Sequence, residues 1–197
     1  MFKKLEKNGF YYGFPVLLMT TKDKETGKNN VTPLSSSFVL GKSIVVGIGF
    51  GNKGFKNIEN GSDVTFNIPD ENLYESVKKI EKFTGDTEIS EVKQNLGYIY
   101  CEDKFKIAGF TELAGEIVNS VRIKECPIHI EAKVTDVQKK DWFAIVTCEI
   151  QGIFVDEKIM KDDSHIDTKK WKPLIYKFRE YTSTGDRLGL NFNFQEV

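Results

Sequence analysis

The distribution of apolar and polar residues along the chain predicts a protein built mainly from β-strands. Short apolar or β-branched runs, bounded by turn-forming or charged residues, occupy 15–21, 31–39, 43–49 and 63–68. Segment 128–134 alternates strictly, which predicts a strand with one face in solvent and places His129 on that face. Residues 142–155 are apolar almost throughout, so we expect both faces of this strand to be covered, one by the core and one by another layer or subunit.

Two helices are predicted between the fourth strand and the alternating strand. Asp70 is suited to cap a helix over 71–84 that ends at Gly85, and a shorter helix is predicted over 91–96. Three apolar residues of the longer helix fall on one face: Leu73, Val77 and Ile80. Six or seven strands with one or two intervening helices predict a small antiparallel barrel.

Composition restricts the classes of partner. The chain has 197 residues, a formal net charge of -1 and a pI of about 6.2. We therefore expect one domain over 1–197 and no electrostatic attraction for nucleic acid or an anionic membrane. The sequence shows neither a signal peptide nor a bilayer-spanning segment, and its three cysteines are widely spaced, so we expect a cytoplasmic protein without disulfides.

The letters Gly41-Lys42-Ser43 resemble the end of a phosphate-binding P-loop, but their context argues against one. The motif requires a glycine five residues before Gly41, where this chain has Ser36, and it requires a helix afterwards. A β-branched run follows instead. Gly41-Lys42 is therefore predicted to be the two-residue turn of a β-hairpin.

Two other segments are candidates for ligand binding. Residues 29–37 place hydroxyls and amides along a strand, with Ser35 and Ser37 on one face, where small side chains leave room for a flat ligand. A polar edge strand without a ligand explains this segment equally well. The second segment, 49–58, combines glycines that permit close backbone approach with Lys53 at a predicted helix start, an arrangement that favours an anion.

The histidines and carboxylates do not form a recognisable catalytic or metal-binding motif. His129 is interpreted as an ordinary strand residue, and His165 lies among carboxylates in what we interpret as a solvated loop. There is no HExxH spacing and no G-x-S-x-G nucleophile motif. We therefore predict no catalytic side chain and no metal ligand.

The order of segments resembles the flavin reductase-like family of FMN-binding split barrels, which includes flavoredoxins and NAD(P)H:flavin oxidoreductases. The matching segments are YGFPVLLMTT (12–21), NVTPLS (30–35), GFKNI (54–58), DVTFNIP (63–69), KFKIAGFT (104–111), CPIHIEA (126–132), QGIFVD (151–156) and PLIY (173–176), followed by Tyr181 and Leu188-Gly189. Each motif is loose, but together they cover nearly the whole chain in the family's order. The resemblance implies a mainly β fold, a Greek-key antiparallel split barrel with flanking helices.

The resemblance also implies the cofactor and its contacts. It implies a homodimer whose interface helps to build two FMN sites. The isoalloxazine and its polar edge would be lined by Asn30, Thr32, Pro33, Leu34, Ser35, Ser36 and Ser37. The FMN phosphate would be approached by Asn52, Lys53, Gly54 and Phe55, whereas Lys104 and Tyr176 would reach the flavin from later segments. Family members often have Ser or Thr where this chain has Gly54, so the phosphate contacts here are expected to differ.

Three functions remain open from the sequence. The first is an enzyme in which FMN accepts hydride from NADH or NADPH and passes electrons to an acceptor. The second is an FMN electron carrier of the flavoredoxin type, reduced by a protein partner. The third is a protein in which both candidate segments are structural and no flavin binds.

Overall fold

The computed structural model describes residues 1–7 and 9–189. The strands are β1 (Phe14–Pro15), β2 (Leu17–Lys22), β3 (Asn29–Leu34), β4 (Ser37–Leu40), β5 (Ser43–Gly49), β6 (Val64–Ile68), β7 (Phe83–Thr84), β8 (Ile99–Tyr100), β9 (Glu112–Leu113), β10 (Arg122–Ile123), β11 (Ile128–Lys139), β12 (Phe143–Val155), β13 (Met160–Asp162), β14 (His165–Ile166), β15 (Ile175–Lys177) and β16 (Glu180–Thr182). The helices are α1 (Lys53–Glu59), α2 (Tyr74–Ile80), α3 (Glu91–Asn95) and α4 (Lys104–Ala108), with 3₁₀ turns at Glu71–Leu73 and Glu157–Ile159. None of the helices in these described ranges is long and apolar enough to cross a membrane.

The main sheet has seven strands in the order β3-β2-β6-β11-β12-β5-β4, and every neighbouring pair is antiparallel. Its two edge strands, β3 and β4, are consecutive in the chain and are joined by Ser35 and Ser36 alone. The backbone N–H of Gly47 donates to the Ser36 carbonyl at 2.8 Å, which fastens this link to β5. The sheet therefore curls into a barrel that stays open between β3 and β5, and this opening positions the site described below.

The prediction of one strand over 31–39 was wrong, because the chain changes partner within it. Residues up to Leu34 pair with β2, whereas residues from Ser37 onward pair with β5. The predicted alternation of Ser35 and Ser37 consequently does not apply across the break. The predicted hairpin turn is confirmed: Leu40 pairs with Ser43, and Gly41 has a φ of 56°.

Two hydrophobic clusters lie on opposite faces of the sheet. Inside the barrel, Phe55 and Phe66 pack with residues of β5 and β12. Outside it, α2 and α4 cover the other face of β2. Met19 belongs to the inner cluster and Leu18 to the outer one, which explains why the first half of β2, from Leu17 to Met19, is apolar on both faces.

The longer predicted helix begins as a 3₁₀ turn over Glu71–Leu73, which Asp70 caps as expected, becomes α-helical only at Tyr74 and ends early. One Asp70 carboxylate oxygen accepts from the backbone N–H of Asn72 at 2.9 Å, and Val77 and Ile80 are fully buried. The helix stops at Ile80, not at Thr84, because Phe83–Thr84 instead form β7, which pairs in parallel with β8. The shorter predicted helix is present as α3.

The predicted solvent face of β11 was also wrong. His129 is buried, with Nε2 lying 2.8 Å from the Ile123 carbonyl oxygen, and burial lowers its pKa. The Glu131 side chain is fully buried, and its carboxylate accepts backbone N–H bonds from Glu116, Ile117 and Val118 at 2.7–3.1 Å. The segment between α4 and β11 therefore covers the face that alternation predicts to lie in solvent, and its backbone N–H and carbonyl groups form hydrogen bonds with the polar side chains beneath it.

Candidate functional site

A cavity of about 560 Å³ occupies the opening between β3 and β5, a volume typical of small-molecule sites. One wall consists of Thr32, Pro33, Leu34, Ser35 and Ser36, and the facing wall of Gly47, Ile48, Gly49, Asn52 and Lys53. The remaining walls consist of Tyr11, Val16, Glu81, Lys82, Phe83, Thr84, Leu96, Tyr98, Lys104, Tyr176 and Tyr181. Three lysines and one glutamate line this cavity, so its charge favours an anionic ligand.

Lys104 is the most unusual group in the cavity wall. It is the first residue of α4, which is capped by Asp103, whose side chain accepts from the Lys106 N–H at 2.9 Å. The Lys104 side chain is only 5% exposed, and it forms no hydrogen bond or ion pair with the described part of the chain. Burial, reinforced by the charge of Lys93, lowers the pKa of Lys104 to about 8. A buried, unpaired ammonium facing a cavity is a ready partner for a bound anion.

Lys53 lines the same cavity, but its ammonium is already paired. Nζ lies 2.5 Å from Asp23 Oδ2, and this contact is the main reason that the pKa of Asp23 falls to about 2. The neighbouring Asn52 donates through Nδ2 to the Gly49 carbonyl at 3.0 Å, which closes the turn between β5 and α1. This turn brings Asn52 and Lys53 to the cavity wall.

Three tyrosines from distant parts of the chain form the aromatic wall. Tyr176, on β15, packs edge-on against Tyr11 and Tyr181, with ring centroids 5.5 and 5.9 Å apart. The Tyr11 hydroxyl lies 2.9 Å from Ser36 Oγ, and Tyr181 donates to a Glu81 carboxylate oxygen at 3.2 Å. Burial raises the pKa of Tyr181, so this phenol stays protonated and is a hydrogen-bond donor. The wall offers flat apolar surface together with polar edges, which suits a planar heteroaromatic ring.

Residues 10–185 match the family model of the flavin reductase like domain. The chain belongs to this family. The uncharacterized protein YdfE of Bacillus subtilis strain 168 is 38% identical over 194 residues, which is 97% of this chain and 93% of that protein. The flavoredoxin of Desulfovibrio vulgaris (Miyazaki F) has a similar fold, with a TM-score of 0.82, 24% identity and 98% of each chain covered. A flavoredoxin from Methanosarcina acetivorans superposes with a TM-score of 0.81 at 20% identity, covering 98% of this chain and 96% of that one. These likenesses identify the fold as the split barrel of the family.

The structure brings together most of the site residues expected of a flavin reductase-like protein. Nine of them line the cavity: Thr32, Pro33, Leu34, Ser35, Ser36, Asn52, Lys53, Lys104 and Tyr176. Four do not: Asn30, Ser37, Gly54 and Phe55. Asn30 faces a smaller neighbouring cavity, and Ser37 lies beyond the β3–β4 break in a groove beside β4. The Phe55 side chain is buried in the core, and its N–H donates to the Asn52 carbonyl.

Gly54, where family members often have a hydroxyl residue, packs directly beneath β3. A Cβ atom at this position would lie 2.6 Å from Thr32 Oγ1 and 2.8 Å from Met19 Cε, both closer than van der Waals contact. Helix α1 therefore approaches the sheet so closely that only glycine fits without movement of its neighbours. The missing hydroxyl of this flavin reductase-like chain is a consequence of local packing.

Several lining residues were not anticipated from the sequence, among them Tyr11, Glu81, Lys82, Tyr98 and Tyr181. They come from the N-terminal segment, the connections around β7 and the C-terminal hairpin, and of these residues only Tyr181 belongs to the segments that carry the family resemblance. The aromatic content of 12% does not distinguish the tyrosines of the site from core residues, and nothing in the sequence marks Glu81 or Lys82.

Proposed function

We propose that this protein is an FMN-dependent oxidoreductase that takes electrons from NADH or NADPH and passes them to an acceptor. The observation that carries the proposal is the cavity in the barrel opening, where the buried, unpaired ammonium of Lys104 faces a wall of tyrosines and hydroxyl residues. Membership of the flavin reductase-like family supports the same proposal.

The cavity residues fit the chemistry of a flavin mononucleotide. The small polar side chains of Thr32, Ser35 and Ser36 leave room for a flat ring and offer groups to its polar edge. Lys104 would place a positive charge beside the flavin ring, where it would favour an anionic form of that ring, and Lys53 with Asn52 would approach the phosphate. The phosphate of FMN would be held by Lys53 and by neighbouring backbone groups.

When bound, FMN would supply the hydride and electron-transfer chemistry, and the protein would supply binding, orientation and electrostatics. The low surface fraction of Lys104 limits access of water to its ammonium, which strengthens its interaction with any bound anion. Tyr181, held by Glu81, positions a phenol at the cavity wall. The proposed reaction requires no protein acid or base, consistent with the prediction of no catalytic side chain.

A second candidate is an FMN electron carrier reduced by a protein partner. The observation in its favour is the aromatic wall, because Tyr176 and Tyr11 stand where they are able to cover a flavin face and exclude a nicotinamide. The alternative differs from the first proposal in the electron donor alone.

Two measurements test these proposals. The purified protein should be yellow, or bind added FMN with quenching of fluorescence, and should release FMN and not FAD on denaturation. Anaerobic stopped-flow absorbance with NADH or NADPH in excess should then show bleaching within seconds, reversed by air. Reduction by dithionite but by neither nucleotide would favour the carrier, and a protein that binds no flavin would refute both.

We also propose a homodimer in the cytoplasm. Trp142, at the start of β12, is 71% exposed, and Leu40, at the end of β4, is 76% exposed. Burial of such side chains stabilises an interface by about 1.5–3 kcal/mol each. Light scattering at micromolar concentration should therefore give twice the chain mass, and a monomer mass would contradict the assembly. The free thiols of all three cysteines support a reducing compartment.

A further inference from the structure

A second, smaller cavity of about 230 Å³ lies on the other side of Lys53 from the proposed flavin site. Lys53 lines both cavities, whereas Asp23, Asn30 and Gly85 line only the smaller one. A Cβ atom on Gly85 would lie 2.7 Å from Asn30 Oδ1 and 3.4 Å from Lys53 Cγ, so these two side chains flank the same point. The Lys53 side chain thus lies between the two cavities, and its ammonium is able to pair with an anion in either one.

We infer that Asp23 competes with the phosphate of a bound flavin for Lys53, and so sets how tightly phosphate-bearing flavins are held. This inference rests on the proposed function. The Lys53 ammonium is 2.5 Å from Asp23 Oδ2, and the two side chains are only 23% and 11% exposed. An anion that recruits Lys53 must either take its ammonium from Asp23 or bind close to that carboxylate. Asp23 opposes binding in both cases, because a partly buried carboxylate loses its partner or repels the phosphate.

The carboxylate of Asp23 cannot follow Lys53, because its own turn holds it in place. Oδ1 accepts from the N–H groups of Glu25 and Thr26 at 2.9 and 3.1 Å. The Asp23 N–H donates to Lys28 and its carbonyl accepts from Gly27, which completes a closed turn between β2 and β3. The pKa of Asp23 is about 2, so the competing charge is present at every physiological pH.

The smaller cavity also offers Lys53 one acceptor besides Asp23, the side-chain oxygen of Asn30. Asn30 Oδ1 is buried and accepts no hydrogen bond from the described residues, while Asn30 Nδ2 donates to Thr32 Oγ1 at 3.0 Å. These acceptors favour retention of the ammonium on the Asp23 side. A flavin whose phosphate must compete with Asp23 for Lys53 dissociates more readily than one bound by a lysine without an ion-pair partner. The arrangement therefore favours a flavin that binds and dissociates during turnover.

The two carboxylate oxygens of Asp23 have different partners, and this permits a selective test. Asp23→Asn retains the Oδ1 acceptor of the turn and replaces the oxygen that pairs with Lys53. Fluorescence-quenching titrations with FMN and with riboflavin, which lacks the phosphate, should be compared for wild type, Asp23→Asn, Lys53→Met and the double variant. Glu59→Gln is the matched control, since it removes an equal charge from an ion pair with Lys139 at the other end of α1.

Asp23→Asn should tighten FMN binding by about tenfold, the factor that one charge-assisted hydrogen bond represents, and leave riboflavin binding unchanged. The gain should shrink in the Lys53→Met background, and Glu59→Gln should behave as wild type. Weaker FMN binding, an equal gain for riboflavin, or an undiminished gain without Lys53 would overturn the inference while leaving the proposed function intact. Failure of wild type to bind either flavin would overturn both, and unchanged melting temperatures would exclude misfolding of the variants.

Discussion

Replacement of Lys104 by methionine should stabilise the protein and at the same time weaken its affinity for a flavin. Methionine has nearly the length and shape of the lysine side chain but no charge, and it adapts readily to an irregular apolar surface. Lys104 as a residue is 5% exposed, and its ammonium forms no hydrogen bond or ion pair with the described residues, so folding desolvates a charge without pairing it. The ligand, not the fold, is the expected reason for this charge.

The magnitude follows from the pKa of Lys104, which is lowered from 10.5 to about 8. Because each pKa unit corresponds to about 1.4 kcal/mol, the buried ammonium destabilises the folded state by up to about 3 kcal/mol. The full penalty applies below pH 8, where the amine is protonated in both the folded and the unfolded states. It declines as the pH rises toward 10.5, because the folded protein then holds a neutral amine while the unfolded chain still holds the proton.

Urea unfolding of wild type and Lys104→Met at pH 7 and at pH 10 measures this difference. The variant should be more stable at pH 7 by up to about 3 kcal/mol, and the advantage should largely vanish at pH 10. Lys106→Met is the control, because Lys106 belongs to the same helix but is exposed. The control should show neither effect.

Flavin binding should show the complementary dependence on pH. Between pH 7 and 8 both the lysine and the phosphate, whose second pKa is about 6, carry their charges, so FMN affinity should be constant. Above pH 8 the binding of reduced FMN, whose ring is anionic, must take up a proton at Lys104, and affinity for reduced FMN should fall by up to about tenfold per pH unit. Lys104→Met should bind weakly and without this dependence. Loss of stability in the variant at pH 7, combined with pH-independent binding by wild type, would refute the reasoning.

Three further predictions concern other parts of the structure. Glu131→Gln should destabilise the protein by about 2–4 kcal/mol, because the new side-chain NH₂ group would face the backbone N–H donors that the carboxylate now accepts. An unchanged midpoint in urea unfolding would contradict this. Gly54→Ser introduces the hydroxyl frequent in the family and should lower stability by about 1–3 kcal/mol, because its Cβ would clash with Thr32. A variant that is equally stable and binds FMN more tightly would show that Thr32 and Met19 move to accommodate the side chain. Lys53→Ala should weaken FMN binding severalfold and Lys42→Ala should not, since Lys42 lies in a hairpin turn; equal effects in fluorescence titrations would reverse the assignment of the two glycine-lysine segments.

Much of the architecture follows from the sequence alone. Periodicity locates β2, β5, β6, β11 and β12, and the Gly41 turn is recognisable from two residues. These features are local: a glycine with positive φ, or an apolar run of strand length, has the same meaning wherever the chain places it. The order of segments likewise identifies the family. The family resemblance in turn predicts the split barrel and the cavity residues from Thr32 to Ser36.

The features that define the site's chemistry depend on tertiary contacts. The strand over 31–39 breaks because its two halves pair with different strands, and His129 is buried because the segment that precedes β11 folds over it. The local alternation of apolar and polar residues depends neither on which strand a segment pairs with nor on which segment covers it. The sequence therefore predicts one continuous strand over 31–39 and an exposed His129.

The charges of the site are the clearest case. Lys53 and Lys104 have the same side chain, and the sequence assigns both to one cofactor. The fold pairs the first with Asp23 and buries the second without a partner, so one is neutralised and the other has its pKa lowered to about 8. Residue type determines which charge a side chain is able to hold, whereas burial and neighbours, which only the folded chain provides, determine the free energy of holding it.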